Sequence, residues 1–439
     1  MAQSPPLFWL PSELTERILL CCHPHEVASF AETCRMAYTL VYKAEDSFLW
    51  RELFLAQPFD DLRKAPPRPG NPASAKLEWR AELQRRLEAE SVVRKGITGP
   101  RLLRALETLV SVVETALPLS DGPDADHSHN LLWLDGLLHR ARFDEDELSE
   151  LERQLLGRLR TYLALTYETG SGTKDAASVR RLNEIRRQSR CFVYDLRKYT
   201  AHTEYGPFRC GAGGALCVDW EHMEHVLNVV ALKLRELPDL ALRLYSKPRP
   251  GLTATQAFSA PFSHDRAPHD WAGVAGVWRR FVCFMDYRDL FTFNYSVQAG
   301  PRDPSFFDDD YVEAIRPVEL RLDVLDPAAA AAKASTAGIE TVDARYPPTF
   351  FKGVSRGSHN SDAVVEGTVY LLADGAIRWT FVTKYDGLMQ WSAEAVQVGN
   401  VCSAAGVAGI WTGAFHDEGD PAGPFWMWKV PAALPAELF

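Results

Sequence analysis

The chain has 439 residues, more than one hydrophobic core normally serves, so we expect two or three domains. Hydrophobic residues make up 46% of the chain and charged residues 24%, a composition that excludes an intrinsically disordered protein. The formal net charge of −10 comes without a concentrated basic stripe, so nucleic acid is not an expected partner.

The compartment is indicated by the cysteines and by the N-terminal segment. Eight cysteines without the even spacing of a disulfide framework predict reduced thiols in an intracellular protein of the cytoplasm, the nucleus or both. Glu13, Glu16 and Arg17 interrupt the first apolar stretch, so we expect no secretion signal. Since no run of about eighteen apolar residues is present, we expect a soluble protein without a membrane partner.

The first sixty residues predict three short helices. The first begins at Ser12, which is interpreted as its N-cap, and ends before Pro24. Apolar residues at three- and four-residue spacing predict a second helix over 25–34 and a third over 48–54. These helices carry more apolar surface than so small a unit can bury, which indicates that part of it packs on a partner or on the next domain.

Short motifs follow one another in this unit in a fixed order: Leu10-Pro11, Glu13-Leu14, Ile18-Leu19, Val27, Phe30-Ala31, Thr33-Cys34-Arg35 and Leu49-Trp50. This order resembles the F-box over residues 7–55. It departs from the family at Cys21-Cys22-His23, where F-boxes more often carry a leucine before the proline. The alternative is that these residues form only the core of an ordinary three-helix bundle.

The resemblance implies that the unit docks on the Skp-family adaptor of a cullin scaffold. The residues implied in that docking are Leu10, Pro11, Leu14, Ile18, Leu19 and Val27.

The middle of the chain predicts a linker followed by a helical scaffold. Prolines and glycines over 65–75 exclude regular structure there, so we place a linker at 56–75. Leucines recur at helical offsets in the segment that follows, which predicts a scaffold domain over 76–250.

One group in this scaffold includes donor types that zinc uses: Cys210, Cys217, His222 and His225. The two cysteines lack the tight spacing of a zinc finger, and the segment 206–214 is typical of a glycine-rich turn between helices. We therefore expect the two histidines to be ordinary helix residues and no metal to be bound.

After about Pro250 the pattern changes to alternating strands. Asp374-Gly375 and Asp386-Gly387 separate three β-rich runs, which predicts two consecutive hairpins. Strict alternation over 318–324 predicts another strand, and at least six strands are expected. The run of alanines within 326–340 predicts a mobile or helical insertion between strands. Together, these strands predict an antiparallel barrel or sandwich.

The segment 255–430 resembles two known patterns. Gly276-Val277-Trp278-Arg279 is similar to the opening of lipocalin-type barrels. The block from Gly406 to Lys429 resembles the C-terminal domain of fungal and plant F-box proteins. The residues predicted to contact a substrate or ligand are Trp278, Arg279, Trp411, Trp426 and Trp428. Tryptophans in such patterns are more often core residues, and that interpretation stays open.

The fold predicted from the sequence is α+β and multidomain. It comprises a three-helix F-box (7–55), a linker (56–75), an α-helical scaffold (76–250) and an antiparallel, lipocalin-like β-barrel (255–430).

Three functions remain in competition. The first is a non-catalytic substrate receptor of an SCF-type ubiquitin ligase that presents an unknown protein substrate and needs no cofactor. The second is the same receptor gated by a small apolar molecule in the barrel. The third is a barrel enzyme that uses His264 and His269 with the neighbouring Asp265 and Asp270; without a nucleophile motif, loop hydrogen bonding is the better interpretation of these residues.

Overall fold

The computed structural model describes residues 9–44, 46–65, 77–121, 127–166, 176–238, 247–295, 300–308, 311–357 and 362–431. Its helices, in chain order, are α1 (Ser12–Leu19), α2 (Pro24–Glu32), α3 (Arg35–Tyr42), α4 (Phe48–Leu55), α5 (Trp79–Lys95), α6 (Pro100–Glu114), α7 (His129–Leu138), α8 (Glu150–Leu163), α9 (Ala176–Val193), α10 (Trp220–Glu236), α11 (Tyr287–Tyr295) and α12 (Pro327–Ala337). None of these helices combines the length and apolar character that crossing a bilayer requires.

The strands form a small hairpin and a closed barrel. The hairpin pairs β1 (Phe208–Cys210) with β2 (Leu216–Val218). The barrel strands are β3 (Gly276–Met285), β4 (Glu313–Val324), β5 (Thr349–Gly357), β6 (Asp362–Leu371), β7 (Ile377–Tyr385), β8 (Leu388–Gln397), β9 (Val407–Gly413) and β10 (Ala422–Val430). Each pairs antiparallel with its neighbours in sequence, and β10 closes on β3. The predicted α+β class with a C-terminal antiparallel barrel is confirmed.

Local turn chemistry explains why the barrel was predictable. Asp386 and Gly387 both have positive φ, 49° and 81°, as the tight turn between β7 and β8 requires. Gly375 has φ 81° in the turn between β6 and β7. The alanine run forms α12, capped by the Asp326 carboxylate, which accepts hydrogen bonds from the Ala328 and Ala329 amides. The helical form of the predicted insertion is thus confirmed.

The N-terminal unit differs from the sequence prediction in two details. It contains four helices, because α3 lies between the second and third predicted helices. Ser12 is not the N-cap of α1: Pro11 occupies that position, and the Ser12 hydroxyl contacts Glu13 instead. At the departure from the F-box pattern, the His23 ring caps α2 and the His23 amide donates to Glu26 at 2.8 Å. The segment 206–214, predicted as a glycine-rich turn between helices, contains β1 and most of the connection to β2.

The helical middle and the barrel share one hydrophobic cluster. Residues of α5, α6, α7, α8 and α10 belong to it, together with outward-facing residues of the barrel strands β3, β9 and β10. All residues of β9 and β10 are buried, so the helices cover one face of this part of the barrel while the barrel interior covers the other. The domain boundary near residue 250 stays a prediction, since the core is continuous across it.

Buried polar contacts attach the N-terminal unit to the scaffold. The described part of the predicted linker, 56–65, contains the buried residues Phe59 and Asp60. The Asp60 carboxylate accepts hydrogen bonds from the Leu117 amide at 2.9 Å, from the His129 amide at 2.8 Å and from the Ser128 hydroxyl. It therefore caps α7 across a separation of nearly seventy residues. The rest of the predicted linker, 66–75, lies outside the described residues.

Arg86 and Asp60 together form the joint between the N-terminal unit and the scaffold. The Arg86 guanidinium donates to Asn130 Oδ1 at 2.6 Å, and its Cζ lies 4.8 Å from the centre of the Phe59 ring and 5.1 Å from that of Phe54. Glu82 pairs with it at 2.8 Å. The joint thus combines a compensated buried charge with aromatic packing.

We predict that Asp60→Ala lowers the free energy of unfolding by about 3 kcal/mol, because several buried donors lose their acceptor. Urea denaturation followed by tryptophan fluorescence measures this change, since Trp79 and Trp133 lie beside the joint. The matched control is Asp61→Ala, which removes the local contacts of one carboxylate with the side chain and the amide of Arg63 and should change little. Equal effects of the two substitutions would contradict the role of Asp60.

Candidate functional site

An apolar stripe on α1 faces away from the protein. Leu10, Leu14 and Ile18 are 41%, 48% and 46% exposed, although they are spaced four residues apart as the members of a packed helix face would be. Only Thr15 and Leu19 of α1 are buried. The helix therefore contacts its own unit along a narrow side and leaves its wider apolar side uncovered in this chain.

Pro11 sets the geometry of this stripe. Its φ of −52° lies in the range that the proline ring imposes, and its carbonyl accepts hydrogen bonds from the Leu14 amide at 3.0 Å and the Thr15 amide at 3.2 Å. Leu10 is thereby held one turn ahead of Leu14. We call Leu10, Pro11, Leu14 and Ile18 the α1 face.

Charged residues of both signs lie on α1. Glu13 and Glu16 fall on the first turn and middle of α1. Burial raises the pKa of Glu16, and the nearby Asp46 and Glu13 carboxylates raise it further. Arg17 is exposed and lies between Leu14 and Ile18 in the chain, so the α1 face is bordered by Glu13 and Arg17, charges of opposite sign.

The six residues predicted to dock on an adaptor separate into two groups. Leu10, Pro11, Leu14 and Ile18 lie on the surface as the α1 face. Leu19 and Val27 lie in the core of the N-terminal unit, where they pack in one cluster with Ala31, Leu49 and Leu53. The sequence pattern did not separate them, because residues on adjoining sides of a short amphipathic helix share the same spacing.

Helix α3 adds exposed apolar residues that the sequence analysis did not predict. Met36 and Tyr38 are exposed on it, while Ala37 and Val41 are buried. The missed signal was Cys34, whose thiol accepts a hydrogen bond from the Ala37 amide and caps the helix. Cysteine is not among the usual capping residues, so the sequence at Cys34 does not indicate a helix start.

The five barrel residues predicted to contact a substrate are buried on two opposite faces of the barrel wall. Trp278 and Trp411 belong to the cluster inside the barrel, and Trp426 and Trp428 belong to the cluster shared with the helices. Arg279 is fully buried, with Glu319 at 3.5 Å. The structure does not bring them together into one surface.

The histidines of the enzyme alternative lie in the loop before β3. His264 Nδ1 is 3.4 Å from Asp121, and His269 is exposed. Asp270 is buried, and its carboxylate accepts hydrogen bonds from the Val274 and Ala275 amides at 2.8 and 2.9 Å. Asp270 thus stabilises the turn into the barrel.

The four residues with zinc-type donors are divided between the small hairpin and α10. Cys210 and Cys217 lie on β1 and β2, whereas His222 Nε2 contacts the Tyr199 hydroxyl at 3.3 Å and His225 Nδ1 contacts the Ser189 hydroxyl at 3.0 Å. Across the parts of the chain that the structure describes, no three His, Cys, Asp or Glu residues are grouped so that they can hold a metal ion.

Comparison with known proteins adds no assignment. No family model matches the chain, and no curated protein matches it.

The histidines of α10, of which His222 is buried and His225 is half-buried, predict a pH dependence. Burial, with His222 and Lys198 nearby, lowers the pKa of His225 to about 3. An unfolded histidine binds a proton from about pH 6.5 downwards. Between pH 6.5 and 3 the unfolded state therefore binds more protons, and the free energy of unfolding falls as the pH falls.

We expect His225→Gln to reduce the stability lost between pH 7 and 4.5 by about 1–2 kcal/mol. Urea denaturation at the two pH values measures this difference. The exposed His269→Gln provides the control and should leave the pH dependence unchanged. A His225→Gln variant with the full acid sensitivity of the parent would refute this account.

Proposed function

We propose that this chain is the substrate-recognition subunit of an SCF-type cullin ubiquitin ligase, acting in the cytoplasm, the nucleus or both. The observation that carries the proposal is the α1 face, in which Leu10, Leu14 and Ile18 are exposed behind a Leu-Pro turn. Those are the positions that the F-box resemblance assigns to adaptor docking. A soluble chain that keeps aligned aliphatic residues in water has a reason to cover them with a partner.

The way in which the N-terminal unit is attached supports the same proposal. Asp60 and Arg86 fix the unit to the scaffold through buried hydrogen bonds. The scaffold in turn shares its core with the barrel. An adaptor docked on the α1 face would therefore lie at a defined distance and orientation from the barrel.

The mechanism that follows is proximity. A receptor of this kind makes and breaks no bonds itself; it holds a target protein near a ubiquitin-charged enzyme, so that transfer to a lysine becomes effectively intramolecular. A rigid scaffold serves this role, because a loose connection would dilute the effective concentration of the substrate lysine. The Skp-family adaptor, the cullin and a protein substrate are the partners of this proposal.

The ligand-gated alternative requires room inside the barrel for a whole apolar molecule. The barrel interior contains several large rings: Trp278, Phe351, Trp379, Phe381 and Phe425. Trp278 and Trp379 pack edge to face at 5.3 Å, and Phe381 and Phe425 do so at 5.9 Å. This packing favours the ungated receptor.

We predict that Leu14→Asp with Ile18→Asp weakens binding to a purified Skp-family adaptor by at least about tenfold, because docking would then desolvate two charges. Isothermal titration calorimetry measures the affinity. Both side chains are exposed, so circular dichroism should show an unchanged fold.

The matched control is Leu132→Asp with Leu151→Asp. These leucines are 50% and 57% exposed on α7 and α8, outside the F-box-like unit. The control should keep full affinity. Loss of binding in both variants, or in neither, would count against docking through the α1 face, and absence of binding by the parent chain would end the ligase proposal.

A further inference from the structure

Arg280 is a buried cation on the inner side of the barrel wall. It is 6% exposed, and its register partners Val318 and Met427 face the barrel interior with it. Its Cζ lies 4.1 Å from the centre of the Phe425 ring and 5.1 Å from that of Phe381. The guanidinium is therefore held between two aromatic faces.

This charge has no anionic partner in the described chain. No described carboxylate lies within ion-pair distance of Arg280, and none of the described residues accepts a hydrogen bond from its buried Nε. The inward positions of strands β3 to β10 include no Asp or Glu, as the strand registers show. Burial lowers the pKa of Arg280 to about 9, and the Tyr385 phenol opposes that shift. At neutral pH the side chain remains charged.

The barrel is closed at one end and accessible at the other. Along β3 the inward residues Trp278 and Arg280 are buried, whereas Val282 and Phe284 are partly exposed. The same gradient runs along β7 from the buried Trp379 to the partly exposed Tyr385. Arg280 thus lies one layer above the closed end and faces the open end.

The open end has aromatic walls. Trp391 and Trp411 pack edge to face at 5.2 Å, and Arg316 at the rim lies 4.6 Å from the centre of the Phe284 ring. The loop 414–421 also carries carboxylates, and these line a cavity of about 410 Å³. Arg280 is not among the residues that line this cavity. The interior beyond the rim therefore presents a cation and aromatic faces without a competing acid.

Another inward cation in the barrel is compensated. Lys429 lies at the closed end, donates a hydrogen bond to the Gly273 carbonyl at 3.1 Å and has Asp270 nearby. The outward-facing neighbour Arg279 has Glu319 at 3.5 Å. Arg280 differs from both residues because no carboxylate of the described chain pairs with it. The planar set of N–H donors on its guanidinium matches the two oxygens of a carboxylate.

We propose that the open end of the barrel binds a carboxylate carried next to an aromatic or aliphatic group, to which Arg280 donates its hydrogen bonds. The carboxylate comes either from a free aromatic acid or from an acidic side chain of a partner polypeptide. Binding is measured on the full chain without adaptor, so the outcome is independent of the ligase proposal.

Two probe pairs test the site and separate the two sources. Phenylacetate is compared with phenylacetamide, and an acetylated, amidated peptide with a glutamate between two phenylalanines is compared with its glutamine counterpart. Isothermal titration calorimetry of the parent chain should favour the acid over the amide by about tenfold or more in at least one pair. Preference in the first pair alone identifies a small acid, and preference in the second identifies a polypeptide.

The variants are Arg280→Met, Arg280→Lys and the control Arg321→Met. Arg321 lies on β4 and faces outwards, paired with Glu319 at 3.0 Å. Arg280→Met should abolish the preference for the acid without lowering the melting temperature, because an uncompensated buried charge is removed. Arg280→Lys keeps the positive charge and serves as the second variant if methionine disturbs the fold. It should retain a weaker preference for the acid over the amide.

The control should bind as the parent chain does. Equal affinity of the parent for acid and amide in both pairs, or an undiminished preference in Arg280→Met, would overturn the proposal.

Discussion

The burial of β9 and β10 on both faces is the constraint on which the structure depends. Inside the barrel these strands contribute Trp411, Phe425 and Met427 to one core, and outside it Ile410 and Trp426 enter the core formed with α10. A strand covered on both sides cannot move without opening two cores. The helical scaffold therefore packs directly on the barrel wall, and each part stabilises the other.

That constraint extends to the N-terminus through the joint at Asp60. The joint satisfies buried donors of α7 with a carboxylate from the end of the N-terminal unit, and Arg86 packs on aromatic rings from the same unit. Each polar group there is costly to separate from its partner. Helix α1 is the exception, because Thr15 and Leu19 are its only buried residues. Rigid attachment with one uncovered face is the arrangement expected of an adaptor-binding element.

The sequence predicted the features that depend on neighbouring residues. Alternation and the Asp-Gly turns predicted the hairpins of β6, β7 and β8, because register and turn geometry are local. It did not predict that helices cover the outer face of β9 and β10, since an apolar run is equally compatible with a buried helix or a strand covered on both sides. The F-box resemblance implies docking by Leu19 and Val27 together with Leu14, and the fold places the first two in the core. Which side of a helix is covered depends on distant residues such as Leu53.

The adjacent residues Arg279 and Arg280 lie on opposite faces of the barrel wall and differ in how their charges are balanced. Both are buried, but Arg279 faces outwards towards Glu319, whereas Arg280 faces inwards between Phe381 and Phe425. A buried charge without an acid weakens a fold that an apolar side chain of similar size would stabilise. The aromatic rings recover part of that cost, since a desolvated guanidinium is attracted to their faces. The remaining imbalance lies one layer above the closed end of the barrel and faces the accessible end, from which an anionic group completes the charge balance.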